Sequence, residues 1–134
     1  MATTAPIECA VITPEREVLT AQATSVVFPA HDGQIGILKD RAPLLCEMGT
    51  GILRVETGSG PPREFFVDGG FAQVLDNHVT LLTERAVAAE DIVRADAEKA
   101  LAEAEQMPAH DLDSVANRQK AIERANTRIR LAKK

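Results

Sequence analysis

The chain has 134 residues, of which 45% are hydrophobic and 26% charged, with a net charge of −5. That length buries roughly two thirds of the unfolded surface, enough for one cored domain with a small appendage, and the composition excludes a disordered chain. Four Phe with no Trp or Tyr leave no stacking platform for bases, and the acidic balance argues against general nucleic-acid binding.

The opening MATTAPIECAV lacks the basic start and long apolar core of a signal peptide, and nowhere does a run approach the ~20 apolar residues of a spanning helix. The expectation is a cytoplasmic protein that meets a membrane only through partners. Cys9 and Cys46 lie among aliphatic residues without a CxxC pair, which reads as small buried hydrophobes in a reducing compartment.

From Ile7 to about Thr83 short apolar runs alternate with turn residues. SVVF (Ser25 to Phe28), GILRV (Gly51 to Val55), REFFV (Arg63 to Val67), GFAQVL (Gly70 to Leu75) and HVTLLT (His78 to Thr83) are rich in β-branched and aromatic residues and predict strands. Thr13-Pro14, Asp32-Gly33, Gly58 to Pro62 and Asp76-Asn77 punctuate them, and the last pair is short enough for a tight hairpin. Closely spaced short strands imply an antiparallel sandwich or barrel. Within this half, HDGQIGILKDRAPLL (His31 to Leu45) reads as a strand interrupted by Lys39-Asp40-Arg41. Such a glycine-flanked stretch suits a phosphate cradle, a metal site or a shaped surface offered to another protein.

After Ala89 the period changes from about 2 to about 3.6. Val93, Ala97, Ala100, Leu101 and Ala104 share one helical face, and Pro108 with Ala109-His110 ends the pattern. Asp111 or Asp113 can cap a second helix, in which Val115, Ile122, Ala125, Ile129 and Ala132 repeat at threes and fours. The short link predicts an antiparallel hairpin with an alanine-rich seam that buries little area per residue. Residues 88–113 carry eight acids against two bases, a net of −6; residues 114–134 carry seven bases against one acid, a net of +6. Folded together the helices would neutralise one another, and apart the second is a basic amphipathic helix suited to an acidic surface.

His31, His78 and His110 fall in separate turns or strand ends and form no HxH or HExxH spacing, so no metal site is expected. GTG at Gly49 and DGG at Asp68 lack the spacing that aims backbone donors at a phosphate, and Gly69-Gly70 suits a bulge or close backbone approach. No nucleophile–base pairing supports an independent enzyme. Binding modules remain, the generic form being a β-sandwich adaptor whose fixed helical hairpin serves as a dimerisation element.

VITPEREVL near the start, GQIGILKDRAPLL at Gly33 to Leu45, GILRV at Gly51, VDGGFAQVLDNHVTLLTERA at Val67 to Ala86 and EDIVRADAEKALAEAE at Glu90 resemble the epsilon subunit of bacterial F-type ATP synthase across nearly the whole chain. The resemblance implies an α+β fold, with an N-terminal antiparallel β-sandwich over residues 1–87 and a C-terminal antiparallel α-helical hairpin over 88–134. It implies a non-catalytic central-stalk subunit on the cytoplasmic face of the inner membrane, monomeric when isolated, coupling rotor to catalytic head in a proton-translocating enzyme. The sandwich would grip the gamma subunit, and the turn from Asp32 to Arg41 would rest on the c-ring through Asp32, Gln34, Lys39 and Arg41, with Gly33 and Gly36 letting the backbone turn. This chain departs from many relatives by Gln34 in place of glutamate and by Lys39-Asp40-Arg41 in place of Pro-Gly-His. Extended, the hairpin would enter the catalytic head of alpha and beta subunits and block ATP hydrolysis. No cofactor is required by the resemblance, but regulatory ATP is implied at Asp91, Arg94, Arg124 and Arg128, while a further basic position of ATP-binding members holds Leu101.

Overall fold

A computed structural model describes residues 6–132; Lys133 and Lys134, counted above in the basic charge, and residues 1–5 of the opening segment lie outside that range. Ten strands run in chain order: β1 Ile7–Ile12, β2 Glu17–Ala23, β3 Ser25–Ala30, β4 Gly33–Ile37, β5 Leu44–Glu47, β6 Thr50–Glu56, β7 Arg63–Asp68, β8 Phe71–Leu75, β9 His78–Leu82 and β10 Ala86–Ala88. They form two five-stranded sheets, β2-β1-β9-β8-β5 and β10-β7-β6-β3-β4. A single turn of 3-10 helix at Ala89–Asp91 leads to α1, Arg94–Glu105, and α2, Leu112–Leu131. The expected sandwich followed by a hairpin is therefore the observed architecture.

All ladders are antiparallel except β1 with β9, which pair in parallel from Glu8 opposite His78 to Ile12 opposite Leu82. These strands are far apart in sequence, so no tight turn dictates their relative direction. Asp76 and Asn77, with φ of 48° and 63°, close the two-residue β8–β9 hairpin as expected, since short polar side chains tolerate the left-handed region. Gly70 has φ of 104°, and a Cβ there would overlap the Leu82 carbonyl oxygen. The glycine pair after Asp68 thus marks a close backbone approach between β8 and the end of β9.

Alternation along the strands builds the core between the sheets. Ile7, Cys9, Val11, Val26, Phe28, Leu53, Val55, Phe65, Val67, Val74, Val79 and Leu81 are buried there. Phe66, out of phase with Phe65 and Val67, faces the other side of its sheet and is only 1% exposed. It packs with Ala89, Ile92, Leu131 and Ala132 in a second, smaller cluster, flanked by Ile52 and Val87. The hairpin is therefore seated on the outer face of the β7–β6 sheet, with α2 against the strands.

The helices pack against each other as predicted, with Ala97, Ala104 and Ala125 buried at the seam. Two boundary expectations change. Val93 is not helical but occupies the N-cap in extended conformation with no side-chain cap, and it is 54% exposed. Ile92 dives into the seat beneath α2 just before it, which rotates Val93 outward. Val115, also assigned to the seam, is exposed in the first turn of α2, which begins at Leu112. Asp111, rather than Asp113, caps α2: its carboxylate accepts from the Ser114 backbone N–H at 2.7 Å, while the Ser114 hydroxyl receives the Asp111 N–H at 3.0 Å. This reciprocal box satisfies two donors that the helix start leaves open.

Candidate functional site

The stretch from His31 to Leu45 is a turn, strand β4, a second turn and the start of β5, which is the expected strand interrupted by charge rather than a single turn from Asp32 to Arg41. Asp32 lies in the β3–β4 turn, which leads into the strand through Gly33 at φ 143°. Gly36 sits inside β4 opposite Val27 with an ordinary φ, and a Cβ placed there would meet only Val27 Cγ2 at 3.8 Å, so nothing in the fold demands glycine there. At the far end of β4, Asp40 takes φ of 65°. Its N–H donates to Asn77 Oδ1 at 2.6 Å, and Asn77 Nδ2 donates back to Asp40 Oδ1 at 3.2 Å. The charged Lys39-Asp40 turn is thereby fastened to the β8–β9 hairpin, with Lys39 Nζ 3.7 Å from Asp40 Oδ2 and Arg41 exposed. With a rise of about 3.3 Å per residue, Asp32 and Lys39 stand roughly 20 Å apart. Asp32 and Gln34 therefore occupy one end of the sheet-edge strand β4, and Lys39 and Arg41 the other.

The arginines assigned to the hairpin converge near its seat. Arg94, the first residue of α1, donates from Nη2 to the Ala132 carbonyl at 3.2 Å, tying the start of one helix to the end of the other. Arg124 Nε lies 2.8 Å from Asp68 Oδ2, an ion pair whose N–H is not aligned on the oxygen, so Nε lacks a true acceptor. Arg128, one turn on, stands over the Phe66 ring with its guanidinium carbon 5.9 Å from the centroid. Partial burial and then the nearby Arg85 charge push its pKa down, against an opposing pull from Asp96. Asp91, at the end of the 3-10 turn, is exposed and lines a depression with Arg16 and Arg63.

Among the described residues no ion pair joins α1 to α2. The basic helix instead reaches the sandwich, through Asp68. Sequence reasoning passed over that residue because it looked like part of a glycine turn. A second surface was also missed. Leu45, Phe71, Leu75 and Leu82 are 72%, 55%, 45% and 51% exposed, and Phe71 pairs directly with Leu82 across β8–β9. Their partners in alternation, Ala72, Val74, Val79 and Leu81, are buried. These four apolar side chains stand on the outer face of the β1-containing sheet, interleaved with Gln73, His78 and Thr80, and the hairpin does not cover them. The signal was present in GFAQVL, which is apolar at both phases of the strand.

Nothing among the described residues groups three or more His, Cys, Asp or Glu as a metal site, and among them no helix is long and apolar enough to cross a membrane. His31 is exposed in its turn; His78 pairs with Glu8 across the β1–β9 ladder at 3.0 Å, and His110 with its neighbour Asp111 at 3.4 Å. The surface depressions, such as that of about 280 Å³ lined by Gln73, Leu75, Asp76, His78 and Thr80, are open to solvent and gather no nucleophile beside a base.

Residues 6–89 match the family described as ATP synthase, Delta/Epsilon chain, beta-sandwich domain. The chain is 42% identical over 127 residues to an ATP synthase epsilon chain of Rhodopirellula baltica, covering 95% of this chain and 98% of that one. It resembles a chain in the cryo-EM structure of the Euglena gracilis mitochondrial ATP synthase OSCP/F1/c-ring assembly, with a TM-score of 0.82, 25% identity and coverage of 95% and 81%. The fold also matches a chain in the Tetrahymena thermophila mitochondrial ATP synthase central stalk and c-ring, with a TM-score of 0.59, 20% identity and coverage of 97% and 96%. With the sandwich, the seated hairpin and these matches together, the protein belongs to the ATP synthase epsilon-chain family.

Proposed function

We propose that this epsilon chain, a non-catalytic subunit, couples the rotor to the catalytic head of a proton-translocating ATP synthase at the cytoplasmic face of the membrane and restrains ATP hydrolysis through its C-terminal helices. The observation that carries the reading is the division of the two outer sheet faces. One is covered by the hairpin through a small apolar seat; the other is bare and presents Leu45, Phe71, Leu75 and Leu82. Several large apolar side chains exposed on one sheet face mark a protein interface, and the gamma subunit is the partner assigned to them. The c-ring contact is assigned to Asp32, Gln34, Lys39 and Arg41. Because these stand at both ends of β4, that contact runs along the sheet edge rather than at one tip.

In this reading the hairpin leaves its seat and inserts its basic helix into the alpha and beta subunits. The seat buries few side chains, so docked and undocked states separated by a few kcal/mol are within reach of a partner's binding energy. The gamma assignment is tested by mixing purified gamma subunit with the full chain carrying Leu45→Asp and Phe71→Asp. Loss of the co-eluting complex with unchanged thermal melting supports it, and an unaltered complex refutes it.

Regulatory ATP is a second reading, favoured by the Nε groups of Arg124 and Arg128, which have no aligned acceptor and suit phosphate oxygens. Asp91 and Arg94 would complete that site. Titration calorimetry with millimolar MgATP decides it: heat that vanishes in Arg128→Gln supports the site, and no heat with the wild type removes it.

A further inference from the structure

We propose that Asp68 is the catch that holds the hairpin on the sandwich, engaging Arg124 as a charge-dependent fastening distinct from the apolar seat. The proposal rests on the reading of a two-state hairpin and names the contact that governs it. Asp68 ends β7 immediately before Gly69 and Gly70, whose φ values of 72° and 104° fix a tight reversal. Its backbone N–H reaches the Arg85 carbonyl at 3.2 Å, and the Thr83 hydroxyl lies 3.4 Å from its N and O atoms. Its side chain is 13% exposed, and Oδ1 accepts the Thr50 hydroxyl at 2.6 Å. The other carboxylate oxygen is left pointing at α2, where it meets Arg124. A half-buried carboxylate held by its own sheet is preorganised to receive a cation, so little side-chain entropy remains to be lost on one side of the pair.

Position along α2 gives the pair its purpose. Leu131 lies seven residues beyond Arg124, about 10 Å along the helix axis. Leu131 and Ala132 supply the helix's contribution to the apolar seat, and the Arg128 contact with Phe66 falls between the two points. One apolar contact would leave α2 free to swivel about its end. A second, charged contact two turns away fixes its direction. Arg85 adds positive charge beside Arg128, opposed by Asp96, and Asp68 adds a negative charge to α2 from the sandwich side.

The test is hydrogen exchange by mass spectrometry on the isolated full-length chain, following residues 112–131. Asp68→Asn keeps an acceptor for Thr50 and should preserve the sandwich; Arg124→Gln removes the cation from the α2 side of the pair, and Arg124→Lys retains the charge. The expected result is about fivefold faster exchange of α2 in Asp68→Asn and Arg124→Gln, the upper range for an exposed-to-half-buried pair, with near wild-type exchange in Arg124→Lys. Raising NaCl from 0.05 to 1 M, where screening shortens from above 10 Å to about 3 Å, should speed exchange in the wild type but not in Arg124→Gln. Leu131→Ala serves as the reference for undocking. If it speeds α2 exchange while Asp68→Asn does not, the catch is refuted and the two-state hairpin stands. If neither speeds it, the two-state reading fails and the catch with it.

Discussion

Replacing Phe66 by alanine separates the hairpin from the sandwich in energetic terms. The ring is 1% exposed and is enclosed by Ala89, Ile92, Leu131 and Ala132, with Ile52 and Val87 alongside and Arg128 above. A buried Phe→Ala change costs about 3–5 kcal/mol where the surroundings cannot separate. Here one wall of the site is a helix that can lift away, so the loss is limited by the docking free energy itself. Taking about 3 kcal/mol, the docked-to-undocked ratio falls roughly 100-fold. Phe65→Ala, one residue earlier but facing the inter-sheet core, should instead lower the stability of the whole sandwich. Hydrogen exchange resolves the two: Phe66→Ala should expose amides of residues 112–131 while those of β7 keep their protection, and Phe65→Ala should expose both. Equal loss of protection in strands and helices for Phe66→Ala, or none in either, would refute the separate seat.

Burial pushes the Cys9 thiol up to about 12 from 9.0, so the native protein should not react at Cys9 with a disulfide reagent at pH 8, and unfolding should release the reaction. The neutral buried thiol contributes fully below pH 9; that contribution is lost as pH rises from 9 to about 12. The Ser114 backbone N–H and then its hydroxyl hold the Asp111 carboxyl below its usual value of 3.8. Its stabilising share is therefore present above pH 3.8 and lost as pH falls through the lower folded value; the first turn of α2 should fray in that acid range by NMR, and Asp111→Ala should abolish the acid step. Reversing Lys39 and Arg41 to glutamate should loosen attachment of the catalytic head to membranes, read by sedimentation, with Asp32→Lys and Gln34→Lys testing the opposite end of β4; unchanged attachment in both pairs removes the edge contact.

Strands and helices were readable because local chemistry and tertiary packing agree along most of the chain. Asp76-Asn77 favours a tight left-handed turn between two apolar runs, and the alternation in REFFVD already places Phe65 and Val67 on one side. What lay under Phe66 was not readable, since a two-residue period shows only that it points the other way. Its cover comes from Leu131 and Ala132 at the far end of the chain. The same distance hid the Asp68 contact: charge balance between the helices suggested that they pair with each other, whereas α2 turns its Arg124 to the sandwich. At Val93 the helical period ran past the true start, because Ile92 is drawn into the seat and breaks the helix phase. The family resemblance named residues 32–41 as one turn, yet the ladder of Val26 to Ala30 with Gly33 to Ile37 makes their middle a strand and parts the four polar residues.

The central claim is that a hairpin only lightly fastened to a stalk-bound sandwich restrains the catalytic head. ATP hydrolysis and proton-driven ATP synthesis should be measured in membrane vesicles holding the assembled enzyme, with the full chain and with residues 114–134 removed. The account predicts faster hydrolysis in the shortened form with the head still attached and synthesis retained. Unchanged hydrolysis in a fully assembled enzyme would contradict it.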